Sequence, residues 1–79
     1  MIWCIDIETA DGDNILTKFC SRNLAEVLKW WNEKWVDDFV ANRINFSVYA
    51  GNKQLTFSQA YDLGFYDKAQ EKKQRRAKK

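Results

Sequence analysis

Residues 3 to 8 read Trp-Cys-Ile-Asp-Ile-Glu, an alternation that puts Trp3, Ile5 and Ile7 on one face of a strand and Cys4, Asp6 and Glu8 on the other. A strand with one apolar face has to lie in a sheet that something covers on that side. Ala10-Asp11-Gly12 follows as a turn, and Asp13 to Cys20 reads as the return strand. A two-residue Asp-Gly turn would set Ile5 opposite Lys18 and mix the faces. A three-residue loop, with Gly12 left-handed and closing a bulge, sets Ile7 opposite Ile15, Ile5 opposite Thr17 and Trp3 opposite Phe19. This register is preferred, and it puts Asp6 and Glu8 opposite Leu16 and Asn14. Cys4 and Cys20 are then diagonal, so no disulfide is expected.

Asn23-Leu24-Ala25-Glu26 reads as a capping box opening a long helix. Leu24, Val27, Leu28, Trp31, Trp35 and Phe39 recur at helical spacing, so the helix is expected to reach about Ala41 and to lie across the apolar face of the hairpin. Ile44 to Ala50 is a third strand with Phe46 and Val48 inward, and Gly51-Asn52 is a turn. Thr56-Phe57-Ser58-Gln59 is a second capping box, stapled by Leu55 onto Ala60. Its short helix ends at Gly64 in a left-handed cap, with Phe65 the apolar residue beyond it. The expectation is an α+β fold of two layers in the order β-β-α-β-α. Residues 1 to 67 form one domain and residues 68 to 79 a basic tail, either a helical extension or a disordered end.

A chain of 79 residues needs a dense core, and a hydrophobic share of 46% with 15% aromatics supplies one. No stretch approaches the roughly 18 apolar residues of a membrane helix. The strand pattern begins at Met1, so no signal peptide is expected, and two reduced cysteines suit a cytoplasmic protein. The net charge of +2 divides unevenly. Residues 68 to 79 carry seven basic residues and one acid, whereas residues 1 to 67 carry six basic residues and ten acids.

Asp6-Ile7-Glu8-Thr9 resembles the first metal-binding motif of the DEDD exonucleases, where paired carboxylates on a strand share hard divalent ions. That family also needs two further aspartates and a His or Tyr from later helices of a longer fold. This chain has no His, and Tyr61-Asp62 and Tyr66-Asp67 do not reproduce the family's Tyr-to-Asp spacing. A metal-dependent nuclease at Asp6 and Glu8 is therefore a minor alternative, and no metal, cofactor or catalytic residue is assigned. The hairpin–helix–strand order also resembles the beginning of the ubiquitin-like β-grasp fold, and "VYAGNKQLTF" resembles the third-strand region of ubiquitin. That fold implies further strands, where this sequence has a helix and a basic tail.

Ile2, Cys4, Leu16 and Cys20 share the outer face with Asp6 and Glu8. Either the C-terminal helix wraps round to cover them, or they form a partner or homodimer surface. Trp30 lies about 100° round the helix from Trp31, beside Glu26, Lys34 and Asp37. It is either an interface anchor or a ring lying flat under its neighbours. The acids Asp6, Glu8, Asp11 and Asp13 cluster at the hairpin turn and suit a basic partner. The expected function is a small non-enzymatic interaction module that binds, and can inhibit, a protein or protein–nucleic-acid complex. This is the style of phage and mobile-element accessory proteins such as anti-CRISPR and host-takeover proteins. Its binding residues are Asp6, Glu8, Asp11, Asp13, Leu16 and Trp30. The alternative is nucleic-acid binding through Lys72, Lys73, Arg75, Arg76, Lys78 and Lys79, with Trp30 or Tyr66 stacking.

Overall fold

The alternating N-terminal segment forms strand β1 (Trp3–Thr9), which pairs antiparallel with β2 (Ile15–Ser21). The computed structural model describes the backbone of residues 1–77, with side chains described through residue 72. After the hairpin come α1 (Leu24–Lys34), α2 (Val36–Val40), β3 (Ile44–Ala50), β4 (Lys53–Gln54), α3 (Phe57–Leu63) and α4 (Asp67–Ala77). The four strands make one antiparallel sheet in the order β2-β1-β3-β4, so the N-terminal strand is central. The fold is α+β in two layers, as the sequence implies. The addition is β4, and of the two alternatives for the basic run the helical one is found over residues 67 to 77. After β3 comes only the two-residue β4 among the described residues, so the later strands of a β-grasp fold do not follow.

The hairpin register differs from the expected one by two residues. Ile5 lies opposite Phe19, Ile7 opposite Thr17, Asp6 opposite Lys18 and Cys4 directly opposite Cys20. Gly12 is left-handed as expected, at φ 79°, but the loop is longer. Thr9 and Asn14 close it through a 2.8 Å bond from the Thr9 amide to the Asn14 carbonyl, and the register slip falls after Ile7. Thr17 faces Ile7 and Ile15 faces Glu8, leaving Leu16 as the bulged residue.

The long helix is interrupted at Trp35, whose φ of −127° departs from helical values. The sequence stripe predicts Trp31, Trp35 and Phe39 inward. The interruption shifts the stripe by one residue, so that Trp31, Val36 and Val40 are buried while Trp35 and Phe39 are half-buried against them. Asn23 caps α1 by accepting from the Ala25 amide at 3.0 Å. The Thr56 box is complete in both directions: Thr56 accepts from the Gln59 amide, and the Gln59 side chain accepts from the Thr56 amide. α2 ends with Asn42 left-handed at φ 62° and bonds from Asn42 N to Phe39 O and from Arg43 N to Asp38 O. α3 ends in the same way at Gly64, φ 101°, with Phe65 N bonded to Ala60 O. Both are Schellman closures, which satisfy the last carbonyls and reverse the chain without proline.

One core cluster draws on every helix: Val27 and Trp31 from α1, Val36 and Val40 from α2, Ala60 from α3 and Ala69 from α4. These meet Ile5, Ile7, Ile44, Phe46 and Val48 of the sheet, with Phe65 wedged from the α3–α4 connection. The indole N–H of Trp31 donates to the Phe65 carbonyl at 2.9 Å, tying α1 to that connection. Lys72 of α4 reaches Asp37 of α2 at 2.7 Å. All the helices therefore lie on one side, and no described helix covers the other face of the sheet.

Candidate interaction surface

The uncovered face is built by alternation. Every second residue of three adjacent strands points to it, so the side chains fall into rows across the sheet. Cys20, Cys4 and Tyr49 form one row, Lys18, Asp6 and Ser47 the next, and Ile15, Glu8 and Asn45 the third. Cys4 and Cys20 are joined by a disulfide, contrary to the expectation of two free thiols. The physical reason is the register: direct opposition at a Cα–Cα distance of 4.1 Å is the close spacing of a non-hydrogen-bonded antiparallel pair. A shallow depression of about 400 Å³ beside it is lined by Cys4, Asp6, Lys18, Tyr49, Gly51 and Asn52.

Asp6 sits at the centre of this face and is only 4% exposed. The Lys18 ammonium stands 3.7 Å from its Oδ1. That oxygen has no closer hydrogen bond, so Coulombic attraction rather than a directed bond compensates its burial. Glu8 instead accepts from the Ser47 hydroxyl at 2.9 Å. The expected Leu16 and Asn14 partners are thus replaced by Lys18 and Ile15 across the hairpin and by Ser47 and Asn45 from β3. Each carboxylate is engaged sideways rather than with the other. Among the described residues, no group of three or more His, Cys, Asp or Glu is placed to hold a metal ion.

The remaining hairpin acids do local work. Asp11 accepts from the Thr9 hydroxyl and from the Asp13 amide, and the Thr9 oxygen in turn accepts from the Asn14 amide at 3.2 Å. The Thr9 hydroxyl first, then the Asp13 amide, holds the Asp11 carboxyl below its ordinary range. A depressed carboxyl contributes its full effect above the unfolded value, about pH 4, and loses it as pH falls through the folded value. The Asp13 and Asn14 amides should therefore lose protection, relative to their intrinsic exchange rates, as pH falls through that depressed value and, at neutral pH, in Asp11→Ala. Unchanged protection in both cases would count against this carboxylate holding the loop. Asp13 is exposed at the same turn.

Leu16, at the bulge, is 53% exposed and Ile15 60%, so the hairpin end of the face carries an apolar patch beside its acids. Trp30 lies elsewhere. It stacks on Phe19 with ring centroids 5.1 Å apart and planes 12° apart, on the helical side of the sheet. It is half-buried and separate from Asp6, Glu8 and Leu16. The most exposed aromatics are instead Phe57 and Tyr61 on α3, which pack with Tyr66 at centroid distances of 4.7 to 6.2 Å. Burial raises the Tyr66 phenol above its ordinary value. The side chains of Lys73, Arg75, Arg76, Lys78 and Lys79 lie outside those described, and Lys72 is the member of the basic set whose contact is on view.

Lys18, Ser47, Tyr49 and the cystine escaped the sequence reading. Lys18 and the cystine needed the correct hairpin register, and Ser47 and Tyr49 needed the pairing of β3 with β1, which no local pattern encodes. No described helix is long and apolar enough to cross a membrane. Comparison with protein families, curated proteins and solved structures found no match.

Proposed function

We propose that this protein is a small non-enzymatic interaction module that binds, and by binding can inhibit, a macromolecular partner through the bare face of its sheet and the adjoining β2 edge. The observation that carries this is the one-sided packing: every helix feeds the same core, and the opposite face keeps a depression, a buried Asp6 paired with the exposed Lys18, and an exposed Ile15–Leu16 patch. An antiparallel sheet can leave one face to water without further purpose. The apolar patch on an edge strand is what argues for more, because such edges offer unpaired backbone groups to another chain. Phage and mobile-element accessory proteins of this size work in this style, and a cytoplasmic location goes with the proposal.

A photo-crosslinker at Leu16 should capture a partner from the source cell, whereas one at Asp62, on α3, should not. With the crosslinker kept at position 16, Ile15→Lys in the same exposed patch should weaken that capture at least tenfold, a loss of about 1.4 kcal/mol. Equal capture from both positions, or an unaffected Ile15→Lys variant, defeats the reading. Crosslinks between two copies would make the partner a second copy of this chain.

A second reading has its own observation. The Tyr61 hydroxyl donates to Gln70 of α4 at 3.2 Å, so the exposed Phe57 and Tyr61 rings sit at the foot of the helix that leads into the basic run. Stacking rings beside cationic side chains are what single-stranded nucleic acid binds. This version moves the stacking role from Trp30 and Tyr66 to Phe57 and Tyr61. Binding of an oligonucleotide should then fall steeply with salt, and Phe57→Ala should weaken it further. Salt-independent binding, or none, eliminates it.

A further inference from the structure

We propose that Cys4 and Cys20 form a reversible thiol–disulfide site on the bare sheet face, which reacts with a small thiol–disulfide couple of the glutathione class and sets how firmly β2 is held. These are the two cysteines of the chain, and the pairing of β1 with β2 places them directly opposite each other. The next pair along, Asp6 and Lys18, carries opposite charges and fixes the same register. The thiols thus remain in juxtaposition whenever the hairpin is formed, and closing the bond requires no rearrangement of the sheet.

The two sulfurs differ in access. Cys20 is exposed on the edge strand, and Cys4 is half-buried on the central one. An incoming thiolate therefore attacks Sγ of Cys20, forms a mixed disulfide there and expels the Cys4 thiolate, which takes up a proton. A second small thiolate attacks the outer sulfur of that mixed disulfide, releasing the oxidised small molecule and the Cys20 thiolate, which is protonated in turn. Two small thiols give two electrons and two protons to the protein and leave as one disulfide. The reverse sequence closes the bond.

The consequence falls on β2 because of how little else holds it. None of its seven residues is buried, and β1 is its one neighbour in the sheet. Phe19, stacked on Trp30, is its main apolar anchor. Elements with few buried contacts open locally at low free energy. The cystine adds a covalent tie from this margin to the buried centre of the sheet. Exposed cystines are the ones that exchange readily with small thiols, and Cys20 is exposed. The site stands on the fold alone and does not depend on the proposed partner.

The test equilibrates the full chain in buffers of reduced and oxidised glutathione, then alkylates it and measures its mass, with amide exchange followed in parallel. Both thiols should appear together in a single transition, and amides of residues 15 to 21 should exchange at least tenfold faster after it while those of α1 change little. The Cys4→Ser variant, exposed to oxidised glutathione, should carry one adduct at Cys20, and Cys20→Ser should react more slowly at Cys4. The doubly substituted Cys4→Ser, Cys20→Ser chain should match the reduced protein in β2 exchange and ignore the redox buffer. Thiols that stay alkylatable in excess oxidised glutathione overturn the proposal, as does β2 exchange that is the same in both states.

Discussion

Trp31→Ala should remove roughly 3–5 kcal/mol of stability, enough to leave much of a domain this small unfolded at physiological temperature. Trp31 is fully buried and touches both layers. Its ring lies 4.2 Å from that of Phe46 and 5.6 Å from that of Phe39, and its N–H donates to the Phe65 carbonyl at 2.9 Å. Truncation thus opens a cavity and also leaves a buried carbonyl without a partner. Trp31→Phe separates the two effects, since it keeps most of the packing and loses the hydrogen bond, and should cost about 1–3 kcal/mol. Urea unfolding of the three proteins measures both numbers. An alanine variant within about 1 kcal/mol of the parent would mean that the core does not depend on this ring.

Opening the Cys4–Cys20 bond should lower global stability by about 3 kcal/mol. The bridge closes a loop with a sequence separation of 16, and the chain entropy it removes from the unfolded ensemble is of that size. The two losses should add when Trp31→Phe is reduced, because the indole lies on the helical side of the sheet and the cystine on the bare side. Unfolding with and without a reductant reads the difference directly. A midpoint that does not move with reductant would show that the cross-link leaves the unfolded ensemble unconstrained.

The local devices of this fold were legible because each is written in neighbouring residues. The Thr56–Gln59 box, the left-handed Gly64 and the inward Phe46 and Val48 stand where the sequence puts them. The hairpin register was not legible, for a definite reason. The expected and observed registers differ by two residues, and in a strand of period two that shift keeps Thr17 and Phe19 on the covered face and Lys18 and Cys20 on the bare one, with Ile15 alone crossing over at the bulge. From Thr17 onward the apolar pattern cannot distinguish them. The choice is made by the Thr9–Asp11–Asn14 hydrogen bonds and the bulge at Leu16, and it converts a diagonal cysteine pair into an opposed one. The helix interruption is a similar case. Trp35 and Val36 both satisfy an apolar stripe, and only the packing of α2 and α4 selects Val36. Of the candidate surface, Asp6, Glu8 and Leu16 were found together in sequence, whereas Lys18, Ser47 and Tyr49 required the sheet order.

The central position of β1 also has a consequence for synthesis. Its partner on one side is β2, a few residues away, but its partner on the other is β3, which starts at Ile44. On the ribosome the first strand, with Ile5 and Ile7, is finished long before β3 exists. Its second edge and its apolar face are therefore left waiting through the translation of both α1 and α2. A nascent chain cut short before Ala50 would expose a ready template for strand pairing, so premature termination in the middle of this message should give aggregates rather than a smaller folded domain.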